Sequence, residues 1–93
     1  MNYRLRYHAL AATIDIPALP DEWRKRIRRA IEERLTGRPE LYSKPLRRSL
    51  KGYRKLRIGD YRVIFRIEHV TVKIFVIQHR SRVYESAGKR LHQ

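Results

Sequence analysis

The sequence predicts an α+β domain in the order β-α-α-β-β-β, two N-terminal helices packed on a small, mostly antiparallel, twisted sheet. Three observations predict it. Apolar residues follow helical spacing from Trp23 to Leu35 and change to period two beyond residue 52. The change falls across a stretch holding Pro39, Pro45 and Gly52. The chain has 93 residues, enough for one modest core, so residues 1–93 are read as one domain.

Taken in order, residues 2–8 alternate polar and apolar, which puts Tyr3, Leu5 and Tyr7 on one face of a first strand. A short helical stretch over roughly 9–16 ends before Pro17. A longer helix starts after Pro20, with Asp21 and Glu22 at its positive end. Trp23, Ile27, Ala30, Ile31 and Leu35 form its apolar stripe, and Gly37 and Pro39 stop it. Its outer charges read as a solvated face with i,i+4 pairs Glu22–Arg26, Arg28–Glu32 and Arg29–Glu33. Residues 38–52 read as loop.

Three strands follow, at 53–58, 61–67 and 70–77. Gly59-Asp60 makes a two-residue connection, although Asp-Gly would be the stronger order. That loop sets Ile58 opposite Tyr61, Arg57 opposite Arg62 and Leu56 opposite Val63. With Glu68-His69 as the next turn, the core face carries Leu56, Ile58, Tyr61, Val63, Phe65, Val72, Ile74 and Val76. The other face carries Lys55, Arg57, Arg62, Arg66 and Lys73, interleaved with Ile64, Phe75 and Ile77, and with no carboxylate to offset the charge. Like charges directly opposite one another are destabilising, so this face points to a phosphate-bearing partner, with a solvated sheet face as the plain alternative. Phe75 could stack on a base or pack beneath the C-terminal segment. Residues 86–93 could be a short helix or a tail.

The charge supports the same direction. The formal net charge is +14, with 23 Lys and Arg against 9 Asp and Glu. Residues 1–40 hold nine Lys/Arg and six Asp/Glu, whereas residues 41–93 hold fourteen and three. A field of that sign seeks a polyanion: nucleic acid, an acidic protein or an anionic surface. With no cysteine, disulfides, thiolate nucleophiles and cysteine metal sites are excluded. His8, His69, His79 and His92 share no metal-ligand spacing, so neither a metal nor a cofactor is expected. No signal peptide and no membrane span are expected, and the reading is a cytoplasmic protein.

The run Leu50-Lys51-Gly52-Tyr53-Arg54-Lys55-Leu56-Arg57-Ile58-Gly59-Asp60-Tyr61-Arg62-Val63-Ile64-Phe65 resembles the signature stretch of the RelE/ParE toxin superfamily. So does Ile77-Gln78-His79-Arg80-Ser81-Arg82-Val83-Tyr84, and the element order fits along essentially the whole chain. The resemblance implies a RelE-like toxin of a type II toxin–antitoxin pair. Its partners would be a cognate acidic antitoxin, the ribosomal A site and mRNA. By motif, Lys55, Arg57, Arg62, Arg80 and Tyr84 fall where RelE-type enzymes place catalytic or phosphate-contacting groups, with His79 beside them. Two departures stand out: Tyr53 and His79 occupy positions that are lysine in one branch. Arg47, Arg48, Lys51, Arg54, Arg66, Lys73 and Arg82 are the candidate RNA-binding residues. A ParE-type inhibitor of DNA gyrase and a non-catalytic basic nucleic-acid-binding domain are the alternatives.

The implied reaction is metal-independent cleavage of mRNA by attack of a ribose 2′-oxygen on the adjacent phosphate. Arg57 and Arg62 suit neutralisation of the phosphoryl oxygens through paired donors. Tyr84 could take the 2′ proton if surrounding cations favour its ionised form. Either His79, the better acid, or Arg80, the more usual position, could serve the leaving 5′-oxygen.

Overall fold

The computed structural model describes residues 2–91. Its five-stranded sheet runs in the spatial order β1-β5-β4-β3-β2, with β1 Arg4–Tyr7, β2 Ser43–Pro45, β3 Arg54–Ile58, β4 Tyr61–Glu68 and β5 Thr71–His79. The sheet is antiparallel except where β1 lies parallel to β5. Three helical segments accompany it: α1 at residues 9–18, α2 at residues 21–35 and α3 at Val83–Leu91.

α1 runs two residues past its expected end, through Pro17 to Ala18, with a π-helical turn over Ala11–Asp15. What stops it is Leu19, which is extended (ψ 141°) as a residue before proline tends to be. α2 begins as expected, with Pro20 capping it and Asp21 and Glu22 in its first turn. Its stripe buries Ile27, Ala30, Ile31 and Leu35, and Trp23 packs against the same core. The three expected i,i+4 pairs do not close among the described residues. Arg26 lies over the Trp23 ring at 4.5 Å instead. Arg24 pairs with Asp21 and donates to the Ile16, Pro17 and Leu19 carbonyls, fastening α1 to α2. An exposed pair contributes only about 0.3–0.5 kcal/mol on a helix, so these alternatives win easily.

The stretch expected to be loop contains a short edge strand: β2 pairs with β3, Ser43 opposite Leu56 and Pro45 opposite Arg54. An edge tolerates Pro45 because only one side of the strand bonds. The Gly59-Asp60 turn has the expected register, Ile58 opposite Tyr61 and Arg57 opposite Arg62. Positive φ falls on Gly59 (58°), and Asp60 does not share it, which is the II′ arrangement with glycine first. Glycine is needed for a second reason: a Cβ there would lie 2.5 Å from a Trp23 ring carbon. The next turn is His69-Val70, one residue later than expected, with Glu68 opposite Thr71 and His69 at φ 56°.

One misplacement matters more. The β4–β5 register shifts between Ile64 and Phe65: Ile64 faces Val76, Phe65 faces Ile74, and Phe75 is the extra residue. The bulge exchanges two side chains. Ile77, expected outside, joins the core beneath α2, and Val76, expected inside, joins the opposite face. That face is a second core, in which Leu50, Ile64, Phe75 and Val76 pack with Val83 and Ala87 of α3. The C-terminal helix thus starts at Val83, earlier than residue 86, and residues 92–93 lie outside the described part. Among the described residues no helix is long and apolar enough to cross a membrane.

Candidate active site

Because α3 covers β5 and β4 but leaves β3 at the side, the cations of β3 and the near end of β4 stay open beside it. Arg57 and Arg62 sit directly opposite each other on this face. Arg62 is half-buried and its Nη1 donates to the Gly59 carbonyl at 2.8 Å and the Tyr61 carbonyl at 2.9 Å. Those bonds let the sheet tolerate the facing arginines, and they leave the rest of the fork outward. Arg57 is exposed and makes no ion pair among the described residues. Lys55, two residues along, places Nζ 5.8 Å from the centroid of the Tyr84 ring, and Tyr84 is 40% exposed. Four of the six expected catalytic residues therefore form one cluster: Lys55, Arg57 and Arg62 from the sheet and Tyr84 from α3.

Arg80 follows the end of β5 beside the Gly59-Asp60 turn. Its backbone N–H donates to the Asp60 carbonyl at 2.8 Å, and its Nε lies 3.8 Å from the Asp60 carboxylate. His79 does not join. It pairs with Tyr61 across the strands, its ring meets the Tyr61 ring edge-on at 5.5 Å, and Tyr61 in turn packs on Trp23. Strand alternation therefore turns His79 to the α2 side of the sheet, where its Nδ1 bonds Ser81.

The expected RNA-binding residues divide as well. Arg47, Arg48 and Lys51 are exposed around a 3₁₀ turn that packs against α3, with Leu50 buried beneath it. Arg54 is occupied: its guanidinium donates to the Ser43 hydroxyl at 2.8 Å and to the Ser43 and Glu40 carbonyls, anchoring β2. Arg66 is also occupied, because Glu68 lies on its own face and takes both Nε and Nη2. That carboxylate corrects the reading of a face with none; it holds the Arg66 guanidinium above its ordinary pKa and is itself held below the usual carboxylate value. Lys73 stands opposite Arg66, its Nζ 5.4 Å from the Phe75 ring. This second basic group is about 13 Å along β4 from Arg62. Phe75 is buried, its ring edge-on to Tyr53, so it packs beneath the C-terminal segment and offers no face to a base. Arg82 is exposed at the start of α3 and lines a cavity of about 340 Å³ with Tyr61, His79 and Ser86.

Sequence reasoning missed the group that fixes α3. Asp15 of α1 is buried and bonds the backbone N–H of Ile77, the Gln78 amide and Arg90. A lone carboxylate inside the apolar run Ala9–Ile16 was the available signal. No three His, Asp or Glu side chains among the described residues gather as a metal site would; His92 lies outside them.

The sheet between two helical layers, together with the strongly basic sequence, points to the class of small toxins that the sequence motifs resemble, and the comparisons show the family and the fold. The sequence profile of the ParE toxin of type II toxin–antitoxin systems (parDE) matches residues 5–84. Toxin RelG of Mycobacterium tuberculosis is 38% identical over 90 residues, covering 90% of this chain and 98% of the relative. Toxin RelE of the same organism is 36% identical over 83 residues, covering 84% and 86%. Among solved structures, the Mycobacterium tuberculosis RelBE2 toxin–antitoxin complex superposes with a TM-score of 0.80 at 32% identity, over 87% of this chain and 94% of the other. A double mutant of Escherichia coli toxin RelE in the free state, at 22% identity, shares the fold with a TM-score of 0.74 over 98% of this chain and 99% of the other. The chain belongs to the RelE/ParE family of type II toxin–antitoxin toxins.

Proposed function

We propose that this toxin is a metal-independent endoribonuclease that cuts mRNA in the ribosomal A site and so halts translation in the cytoplasm. The observation that carries the reading is the meeting of Tyr84 with Lys55 beside the facing Arg57 and Arg62. The relatives' names, RelG and RelE, favour it over a gyrase inhibitor, which needs no such cluster. In the reaction the 2′-oxygen bonds to phosphorus as the bond to the 5′-oxygen breaks. Tyr84, as its phenolate, accepts the 2′ proton, with Lys55 alongside to balance the charge. Arg57 and the free side of the Arg62 fork hold the non-bridging oxygens. Arg80 offsets charge on the leaving 5′-oxygen, a service that suits a guanidinium better than giving up a proton does; the 5′-oxygen takes its proton from water, and Tyr84 returns the one it accepted to solvent. The products are a 2′,3′-cyclic phosphate and a 5′-hydroxyl.

The site is a shallow shelf, and it does not by itself align a flexible strand for in-line attack. Alignment is worth orders of magnitude in rate, so the ribosome supplies it by holding the codon. Arg47, Arg48, Lys51 and Arg82, exposed around the shelf, dock on ribosomal RNA phosphates. An acidic antitoxin covers the same basic surface; the solved complexes of relatives pair a toxin with an antitoxin. Single-turnover cleavage of one message, alone and in a programmed ribosome, tests the reading. Cleavage only on the ribosome, with 5′-hydroxyl ends, is expected. Equal rates in both settings, or intact message with gyrase-linked DNA breaks, would sink it.

A further inference from the structure

Tyr84 is too exposed to be placed by its own packing, so its position is that of α3. The apolar hold on this nine-residue helix is small: Val83 and Ala87 are buried, and Leu91 packs at the edge. The polar hold is larger. Arg90, in the last turn, extends a nearly buried guanidinium (9% exposed) to the fully buried carboxylate of Asp15. Nη1 reaches Oδ2 at 2.8 Å and Nη2 reaches Oδ1 at 3.2 Å, a two-pronged pair. Nη1 also donates to the carbonyl of Phe75, the residue that the bulge leaves without a partner on β4, at 2.7 Å. The same carboxylate accepts from the Ile77 N–H at 2.9 Å and the Gln78 amide at 3.0 Å, and Gln78 Oε1 accepts from the Ser86 hydroxyl at 2.6 Å. Helix α3 is therefore tied at Ser86 and at Arg90, to α1 and to the bulged part of β5.

We propose that Asp15 and Arg90 are positioning residues for Tyr84, acting through α3. Two ties fix the tilt and rotation of a helix whose first turn carries Tyr84, about 9 Å along the axis from Arg90. A buried ion pair is a poor source of stability compared with well-packed apolar groups, but its two-pronged geometry admits one arrangement where an apolar contact admits several. Losing it lets α3 slide over Ile64 and Val76, and Tyr84 leaves Lys55. Neither residue touches substrate.

The inference rests on the catalytic reading for its activity arm only. Arg90→Met keeps the length of the chain and removes the fork. Expected are α3 amides that exchange about tenfold faster while β4 amides do not change, and a Tyr84 ring resonance, followed with labelled tyrosine, that moves to the position of a free tyrosine. In ribosome assays kcat falls about tenfold while KM stays within about twofold, and Arg90→Lys restores part of kcat. Unchanged α3 exchange would overturn the proposal. So would a loosened α3 with the Tyr84 resonance and kcat unmoved. If Arg90→Met does not fold, Arg90→Lys and Ser86→Ala leave Asp15 its cation and make the same comparison; about a threefold change in α3 exchange is expected, and none would overturn it. The exchange and resonance measurements need no substrate, so a wild-type protein that leaves mRNA intact refutes the catalytic reading without deciding this one.

Discussion

The two faces of the sheet are made from the same three strands and treated in opposite ways. Against α2, Leu56, Val63, Phe65, Val72, Ile74 and Ile77 are sealed from water. Against α3 the seal is partial, and the strip left open holds Lys55, Arg57 and Arg62. Shifting α3 over β3 would bury three cations, none of which has an ion-pair partner among the described residues, at a desolvation cost. The helix is confined to the apolar half, and the boundary it makes is where Tyr84 meets Lys55. Stability belongs to one face, and the chemistry proposed above belongs to the margin of the other.

The contrast can be broken most severely from the sealed face. Phe65→Ala removes a fully buried ring and is expected to cost about 3–5 kcal/mol, enough to unfold much of a domain of this size. Urea unfolding measures it, and a loss below about 1 kcal/mol would contradict the division. On the open margin the reverse holds. Arg57→Ala should move stability by less than about 0.5 kcal/mol and slow single-turnover cleavage by about 10²–10³. Arg62→Ala should slow it as much, but it also loses the two bonds to the Gly59 and Tyr61 carbonyls, at about 1 kcal/mol, so it is the less clean of the pair. A growth assay beside a thermal melt separates the two effects.

Gly59→Ala ranks next. It puts a Cβ against the Trp23 ring and a side chain at φ 58°, and a loss of about 2 kcal/mol is expected by denaturant titration. The smallest effect belongs to Arg66 and Glu68. The carboxyl's pKa is lowered in the folded state, so the pair's contribution is present above the ordinary carboxylate range and is lost as pH falls through it. Glu68→Gln should therefore differ slightly from wild type in melts at neutral pH and match it once the pH falls below the lowered value of Glu68. A difference that persists in acid would assign Glu68 another role.

These comparisons also mark how far the sequence could be read. The Leu56–Val63 hairpin was legible because alternation and a two-residue turn fix each other. The bulge was not, because Ile74, Phe75, Val76 and Ile77 are all apolar and an extra residue in such a run leaves no change of pattern. Strand β2 was hidden by its length and by Pro45. Among the candidate site residues, Lys55, Arg57, Arg62 and Tyr84 were named from the motif and stand together in the fold. His79 was misplaced by one step of alternation, Arg54 looked free because Ser43 and Glu40 reach it only in the folded sheet, and Arg66 looked free because Glu68, two residues along, was read as part of the turn rather than of β4. The Asp15–Arg90 pair joins residues 75 positions apart, beyond the reach of any local pattern.

The parallel pairing of β1 with β5 sets the order in which the molecule can be assembled. Arg4 lies beside Thr71 and Tyr7 beside Ile74, whereas β3, β4 and β5 pair with their neighbours in the chain. Closing a short hairpin takes microseconds, but bringing together segments some 67 residues apart costs far more loop entropy and comes later. During synthesis β1 emerges before β5 and must wait for the more than 60 residues between them. Arg90 emerges later still. A nascent toxin therefore lacks its finished sheet until β5 has followed β1 out, and its fastened helix until Arg90 has.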